Sequence, residues 1–141
     1  MTKVSFYVLP EGQEKLHFAC RLTEKAFKQG QRIYLYGADA QTCGALDDLL
    51  WTFRQGSFVP HQLWNGGSVD AATPVIIGSS EPPPDLDATL VNVADDVPDF
   101  FSRFERVAEI VDSAGKEPAR RRYKFYQDRG YPLETHKIEA A

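Results

Sequence analysis

The chain has 141 residues, of which 43% are hydrophobic, so it is long enough for one domain with a proper core. Its formal net charge of −4 argues against a general nucleic-acid coat protein, because such proteins are normally basic. No apolar run approaches the roughly 20 residues of a membrane span, and the N-terminal apolar segment is too short for a signal peptide. We therefore expect a cytoplasmic protein.

The first half of the chain alternates between strand and helix patterns. Residues 4–9 and 32–36 are rich in β-branched and aromatic side chains, which predicts two strands. Asp39 can cap a second helix that runs to about position 53. Between the two strands, residues 13–29 predict an amphipathic helix with one apolar face: Leu16, Ala19, Cys20, Thr23 and Phe27.

The second half continues this alternation less regularly. Residues 52–72 are aromatic but have no period, which predicts a loop, and residues 74–78 read as a short buried strand. Residues 79–87 contain three consecutive prolines and are predicted as loop. A fourth strand is predicted over 89–93 and a third helix over 98–111. A last helix follows, and the residues from about 134 to 141 are expected to fray.

These elements predict an α/β fold in a single domain spanning residues 1–141. We expect a mostly parallel central sheet with helices on both faces, and the order 2-1-3-4 for the four predicted strands. The fold is Rossmann-like, but the turn after the first strand, PEGQEK, contains neither GxGxxG nor GxxxxGK[ST]. Glu11 and Glu14 in this turn would repel a phosphate. A nucleotide-dependent enzyme is therefore disfavoured, and no cofactor is expected.

Residue types that build catalytic or metal sites do not cluster in the sequence. The three histidines form no HxxxH or HxH motif. The acidic pairs at 47–48 and 95–96 are chain neighbours, and because neighbours on a helix do not share a face, Asp47 and Asp48 do not form a catalytic dyad. Cys20 and Cys43 form no CxxC motif, which predicts reduced thiols in the core. No GxSxG motif is present. We predict no catalytic residue and no metal ligand.

The last predicted helix, residues 116–131, is basic although the chain as a whole is acidic. It carries six cations and two acids, a net charge of about +4. A cationic arc with an aromatic wall suits an acidic peptide end, a phosphate or nucleic acid, whereas a merely solvated helix is the alternative. The helical period groups five residues on this arc and leaves Ala119 and Tyr126 for the core: Lys116, Arg120, Tyr123, Lys124 and Gln127.

A second unusual feature is an aromatic segment around Pro60. Its large side chains either cover one edge of the sheet or form a partner-binding surface, since Trp and Phe are common anchors of such surfaces. The sequence alone leaves both interpretations open. The segment contains eight large apolar residues within sixteen positions: Leu49, Leu50, Trp51, Phe53, Phe58, Val59, Leu63 and Trp64.

Three segments resemble the chi subunit of bacterial DNA polymerase III holoenzyme. They are FYVL, LDDLLWTFRQGSFVPH and ARRRYKFYQDRGY, in that order over nearly the whole chain. The resemblance implies a non-catalytic accessory subunit in DNA replication, which pairs with the psi subunit and thereby joins the clamp-loader complex. Trp51 and Phe58 match the positions that face psi, a surface that can serve a repair helicase instead.

The resemblance also implies a site for the acidic C-terminal tail of single-stranded DNA-binding protein. In that site we expect Arg120 to bind the terminal carboxylate and Tyr123 to form a wall of the cleft for a terminal Phe ring. Arg121 and Arg122 make the charge denser than in the family motif. A basic helix that binds single-stranded nucleic acid is the main alternative. The matching residues are those of the helical arc, with two lysines for the acidic side chains: Lys116, Arg120, Tyr123 and Lys124.

Overall fold

The computed structural model describes residues 1–70 and 72–140 of the chain. Short 3₁₀ turns at Phe101–Arg103 and Ser113–Gly115 connect some of the longer elements. These longer elements are, in chain order, β1 (Lys3–Val8), α1 (Lys15–Lys28), β2 (Ile33–Tyr36), α2 (Ala40–Thr52), β3 (His61–Leu63), β4 (Val75–Gly78), β5 (Thr89–Asn92), β6 (Arg106–Val111), α3 (Lys116–Asp128) and β7 (Leu133–Lys137).

The strands form one seven-stranded sheet in the order β3-β4-β2-β5-β6-β1-β7. Every pair of neighbouring strands is parallel. The prediction of a parallel α/β sheet is therefore confirmed. The predicted strand order is wrong, because the strand at the N-terminus has β6 and β7 as neighbours and does not contact β2. The sequence predicts neither β6 nor β7 as a strand.

Helices cover both faces of the sheet, as predicted. Helices α1 and α2 pack on the face that we call the α1 face, which carries Tyr7, Leu35 and Ile110 among its apolar residues. Helix α3 packs on the opposite face, the α3 face, which carries Phe6 and Tyr34. Because side chains alternate along a strand, the inner strands β1, β2, β4, β5 and β6 each contribute to both cores. The buried central strands β4 and β5 are apolar on both faces for the same reason.

Residues 98–111 do not form the predicted helix. They form the 3₁₀ turn and then β6, which lies between β5 and β1. The apolar residues of this segment fit a helical period, but Val107, Ile110 and Val111 are β-branched and buried. A short continuous apolar run fits a buried strand as well as a helix, and here pairing with β1 and β5 decides for the strand.

Two edge strands also correct the sequence prediction. The three residues of β3 lie inside the segment predicted as loop, and they pair with β4. Four of the five residues of β7 lie in the tail that is predicted to fray, and the strand pairs with β1 over its whole length. Ile138 continues this contact by donating its N–H to the carbonyl of Val8 at 2.9 Å. Residue 141 of the predicted fraying tail lies outside the described residues.

Candidate partner-binding surfaces

Helix α3 begins at the predicted residue 116 and ends at Asp128, three residues before the predicted end. Pro118 lies in the first turn, where a backbone N–H has no helical partner to lose. Gly130 follows the last turn with φ +76, a conformation that glycine adopts without strain. Glu117 in the first turn interacts favourably with the positive end of the helix dipole. These signals fix the helix independently of any partner.

The inner side of α3 rests on a buried polar cluster. Arg122 is 3% exposed and donates through Nε to Oε1 of Glu109 at 2.8 Å. Oε2 of Glu109 accepts from the hydroxyl of Tyr126 at 2.7 Å, and Asn92 donates to both oxygens. Burial raises the pKa of Glu109, whereas Arg122 and the hydrogen bonds oppose that rise. Arg122 is therefore a structural cation and is removed from the outer surface.

The outer side of α3 carries the residues that the helical period grouped. Lys116, Arg120 and Lys124 are exposed, and Tyr123 is half-buried because its ring packs edge-on against Phe6 at 5.2 Å. With Arg122 paired inside, five cations and two acids of this segment remain outside, a net charge of +3. We call the outer residues Lys116, Arg120, Tyr123 and Lys124 the α3 surface.

Two cations of the α3 surface, Arg120 and Lys124, form exposed ion pairs within the helix. Arg120 lies 3.3 Å from Glu117, and Lys124 lies 3.2 Å from Asp128. Exposed pairs of this type contribute about 0.2–1 kcal/mol, so an incoming carboxylate can replace them at little cost. The geometry can therefore accept an anion.

Strand β7 adds a cation beside the α3 surface that sequence reasoning missed. Leu133 packs in the α3-face core, so alternation places Lys137 on the same face. The register pairs Lys137 with Val8, two residues along β1 from the Phe6 that Tyr123 contacts. The ordered tail thus brings a lysine to the α3 face of the sheet, on the edge strand next to β1. A sequence prediction of β7 would have been needed to find it.

The aromatic segment divides into covered and exposed residues. Leu50 and Val59 are buried, and Trp64 packs into the α3-face core. Trp51, Phe58 and Leu63 are exposed by 58%, 63% and 48% respectively. The rings of Trp51 and Phe58 lie 5.8 Å apart, so they form one patch. We call Trp51, Phe58 and Leu63 the β3-edge surface.

A buried histidine supports the β3-edge surface from beneath. The His61 side chain is 1% exposed, and its ring lies edge-on to Trp51 at 4.8 Å. Its Nδ1 donates to the carbonyl of Val59 at 2.7 Å, and Nε2 lies 3.2 Å from a carboxylate oxygen of Asp47 without hydrogen-bond alignment. The indole of Trp51 is thus positioned by the fold and remains exposed.

The loop before Phe58 is tied to α1 through a buried carboxylate. Glu24 accepts a hydrogen bond from the hydroxyl of Ser57 and lies 3.3 Å from the guanidinium of Arg54. Lys28 lies 3.7 Å from the same carboxylate. This arrangement fixes the loop on both sides of its turn at Gly56. Phe58 therefore projects from an anchored segment, as an interface anchor should.

The two surfaces lie on opposite faces and toward opposite edges of the sheet. Trp51 belongs to α2 on the α1 face beside β3, whereas α3 contacts β6 and β1 on the other face. At about 4.8 Å per strand, four steps from β3 to β6 give a separation of roughly 20 Å. The two surfaces therefore do not overlap.

Other kinds of site are not assembled among the described residues. No group of three or more His, Cys, Asp or Glu in residues 1–70 and 72–140 is placed to hold a metal ion. None of the described helices combines the length and hydropathy that crossing a membrane requires. Cys20 and Cys43 are buried free thiols, as predicted, and burial raises the pKa of Cys20 to about 12.

The fold is similar to that of two solved structures. The chain is similar to the crystal structure of T4 UvsW, with a TM-score of 0.70, 9% identity, and coverage of 97% of this chain and 41% of that one. It is also similar to the Mss116p DEAD-box helicase domain 2 bound to an RNA duplex, with a TM-score of 0.63, 8% identity, and coverage of 99% and 65% respectively. At these identities the likeness concerns the fold alone.

The sequence identifies the family. Residues 1–134 match the family model described as DNA polymerase III chi subunit, HolC. The chain is 42% identical to DNA polymerase III subunit chi of Pseudomonas aeruginosa over 98% of both chains. It is 28% identical to the subunits chi of Haemophilus influenzae, over 94% of this chain and 95% of that one, and of Escherichia coli, over 82% and 80% respectively. The chain belongs to the DNA polymerase III chi subunit family.

Proposed function

We propose that this protein is a non-catalytic adaptor that holds two partners of the replication machinery at once. Through the β3-edge surface it binds a psi subunit and thereby joins the clamp-loader complex. Through the α3 surface it binds the acidic C-terminal tail of single-stranded DNA-binding protein. The observation that carries this proposal is the pair of chemically different, well-separated surfaces on a chain of the chi family.

The β3-edge surface supports the first half of the proposal. Exposed Trp and Phe side chains on an anchored segment are typical hot spots of a stable interface. The same surface is open to a repair helicase in place of psi. An interface of this kind depends on buried apolar area and is therefore weakly sensitive to salt.

The α3 surface supports the second half. In the proposed complex Arg120 binds the terminal carboxylate of the tail, and Lys116 and Lys124 bind its acidic side chains. Tyr123 forms a wall for the terminal Phe ring, because its own ring is already fixed against Phe6. Exposed charges are screened by salt, so this complex is weak and salt-sensitive, as suits a tether that must release.

A titration of the protein with an acidic peptide that ends in Phe tests this function. We expect the peptide to bind, and we expect Arg120→Ala to weaken it while the psi complex is unchanged. Trp51→Ala should have the opposite effect. The alternative is a basic module in which α3 itself binds single-stranded nucleic acid. An oligonucleotide that binds α3 where the peptide does not would contradict the proposal.

A further inference from the structure

A cavity of about 420 Å³ lies on the α1 face, away from both proposed surfaces. It is bounded by the second half of α1 and by β1, β5 and β6 at the ends where these strands begin. Apolar side chains form part of its wall, among them Leu22, Ala26 and Val91. The cavity is large enough to hold a group of the size of a nucleotide unit, so its charges decide what it can bind.

Three cations line this cavity. Lys3 and Arg106 are direct register partners on β1 and β6, and alternation points both side chains to the α1 face, where Lys25 of α1 faces them. Like charges directly opposite each other on neighbouring strands are destabilising. Among the described residues, no carboxylate lies within ion-pair distance of any of the three, and Glu134 is the one acid that lines the cavity. Such an arrangement favours an anionic ligand.

The cavity also offers aromatic and amide groups. Tyr7 lines it, and the ring of Tyr7 is stacked on His136 at 5.0 Å, which fixes its orientation. Gln29 and Gln31 contribute amides that can both donate and accept hydrogen bonds. Cations combined with a fixed aromatic ring are the two elements with which proteins bind single strands without sequence preference.

A second cavity of about 590 Å³ continues this site along α1. Both cavities are lined by Tyr7, Leu22, Lys25 and Gln29, so they are parts of one groove. Two cations of the second cavity, Lys28 and Arg54, are already held by the buried Glu24. Arg21 also lines it and has no ion-pair partner among the described residues. The groove thus places cations one after another along its length, which suits a polymer with a negative charge on each unit.

We propose that this α1 groove binds the phosphate backbone of single-stranded DNA directly. Lys3, Lys25 and Arg106 contact phosphates in the first cavity, Tyr7 contacts a base or sugar, and the strand continues toward Arg21 in the second. A strand of DNA fits better than an acidic peptide because the groove supplies an aromatic ring and amides in addition to its cations. The inference goes beyond the proposed function, in which DNA is reached only through a partner.

Fluorescence anisotropy of a fluorescein-labelled oligothymidylate with the whole chain at low salt tests the groove. We expect binding that Arg106→Ala and Lys25→Ala each weaken several-fold. Each of these substitutions should lower the slope of log K against log salt by about 0.7, because one phosphate contact is lost. Lys124→Ala, on the α3 surface, is the matched control and should leave oligonucleotide binding unchanged while it weakens the acidic peptide.

Substitution of Glu134 gives a test in which binding should become tighter, a result that a misfolded variant would not give. Glu134→Gln takes away the negative charge that lines the first cavity, so it should tighten oligonucleotide binding. Absence of binding at low salt, an unchanged slope for Arg106→Ala, or an equal loss for Lys124→Ala would each overturn the proposal. Equal displacement by polyglutamate of matched charge would assign the groove to an acidic polypeptide and would also overturn it. None of these results depends on whether Arg120 binds the acidic tail.

Discussion

The β3-edge surface and the α3 surface differ in the kind of interaction that each offers to a partner. The first exposes Trp51, Phe58 and Leu63, which gain free energy when water leaves them. The second exposes Lys116, Arg120 and Lys124 around one half-buried ring, and its attraction for anions is screened over about 8 Å at physiological salt. In the proposed function one small fold holds one partner durably and another reversibly, because salt weakens binding at the α3 surface and has little effect at the β3-edge surface.

The two surfaces are alike in what lies beneath them. The α3 surface rests on the buried pair of Arg122 and Glu109, and the β3-edge surface rests on His61 and on the contacts of Glu24. In both cases a buried polar contact fixes a backbone segment whose outer side chains stay free. This comparison predicts that inner and outer residues of the same element respond very differently to substitution.

Arg122→Ala should have the largest effect. It leaves the carboxylate of Glu109 buried without its cation, so the free energy of unfolding should fall by about 3–5 kcal/mol. Arg121→Ala is the control, because the guanidinium of Arg121 is exposed. This substitution should change the free energy of unfolding by no more than about 0.5 kcal/mol. Urea denaturation of both variants measures the difference. Similar losses for the two would contradict the structural role of Arg122.

Trp51→Ala should come second and should affect binding rather than folding. Loss of an anchor at the centre of an interface costs about 2 kcal/mol or more, so affinity for psi should fall about 30-fold or further. The residue is 58% exposed, so the free energy of unfolding should change little. Calorimetric titration with psi at two salt concentrations measures this, and the acidic peptide is the control. If the loss of affinity depends strongly on salt, the surface binds psi through charges and not through apolar contacts.

The contrast between Arg122 and Arg120 shows what the sequence can predict and what it cannot. The bounds of α2 and α3 follow from local signals, such as the Asp39 side chain that accepts from the N–H of Thr42 at 2.7 Å. The helical period also groups the α3 surface correctly. The period also places Arg122 on the core side of α3, but its partner Glu109 lies on a strand where the apolar spacing predicts a helix, so the buried ion pair could not be predicted.

The missed strands have a related cause. The edge strands β3 and β7 pair through backbone groups on one side only, so most of their side chains are polar and show little pattern. Their positions depend on β4 and β1, which are distant in the chain. The exposure of Trp51 on one face and the packing of Trp64 into the core of the other depend likewise on how the segment that joins them folds around the edge of the sheet. Long-range packing decides these features, and local sequence does not encode it.

Arg120→Ala tests the charged surface and should have the third largest effect. The substitution removes a hydrogen bond to a charged group, so affinity for an acidic peptide ending in Phe should fall by about 1.5 kcal/mol. Arg121→Ala is a matched control, since both arginines pair with Glu117 but Arg121 lies outside the grouped arc. Fluorescence anisotropy at several salt concentrations measures both. If the two variants lose equal affinity, the density of positive charge alone explains peptide binding, and the position of Arg120 on the arc does not matter.

Lys137→Ala should have the smallest effect of the four. An exposed lysine on the edge strand beside the α3 surface adds about 0.5 kcal/mol to the binding of an acidic peptide, because its charge is solvated before and after binding. Lys137→Glu should weaken the peptide further by repulsion, which makes the small effect measurable. His136→Ala is the control, because His136 points to the α1 face and stacks on Tyr7. If Lys137→Glu leaves peptide affinity unchanged while Arg120→Ala lowers it, the acidic tail follows α3 alone and does not reach β7.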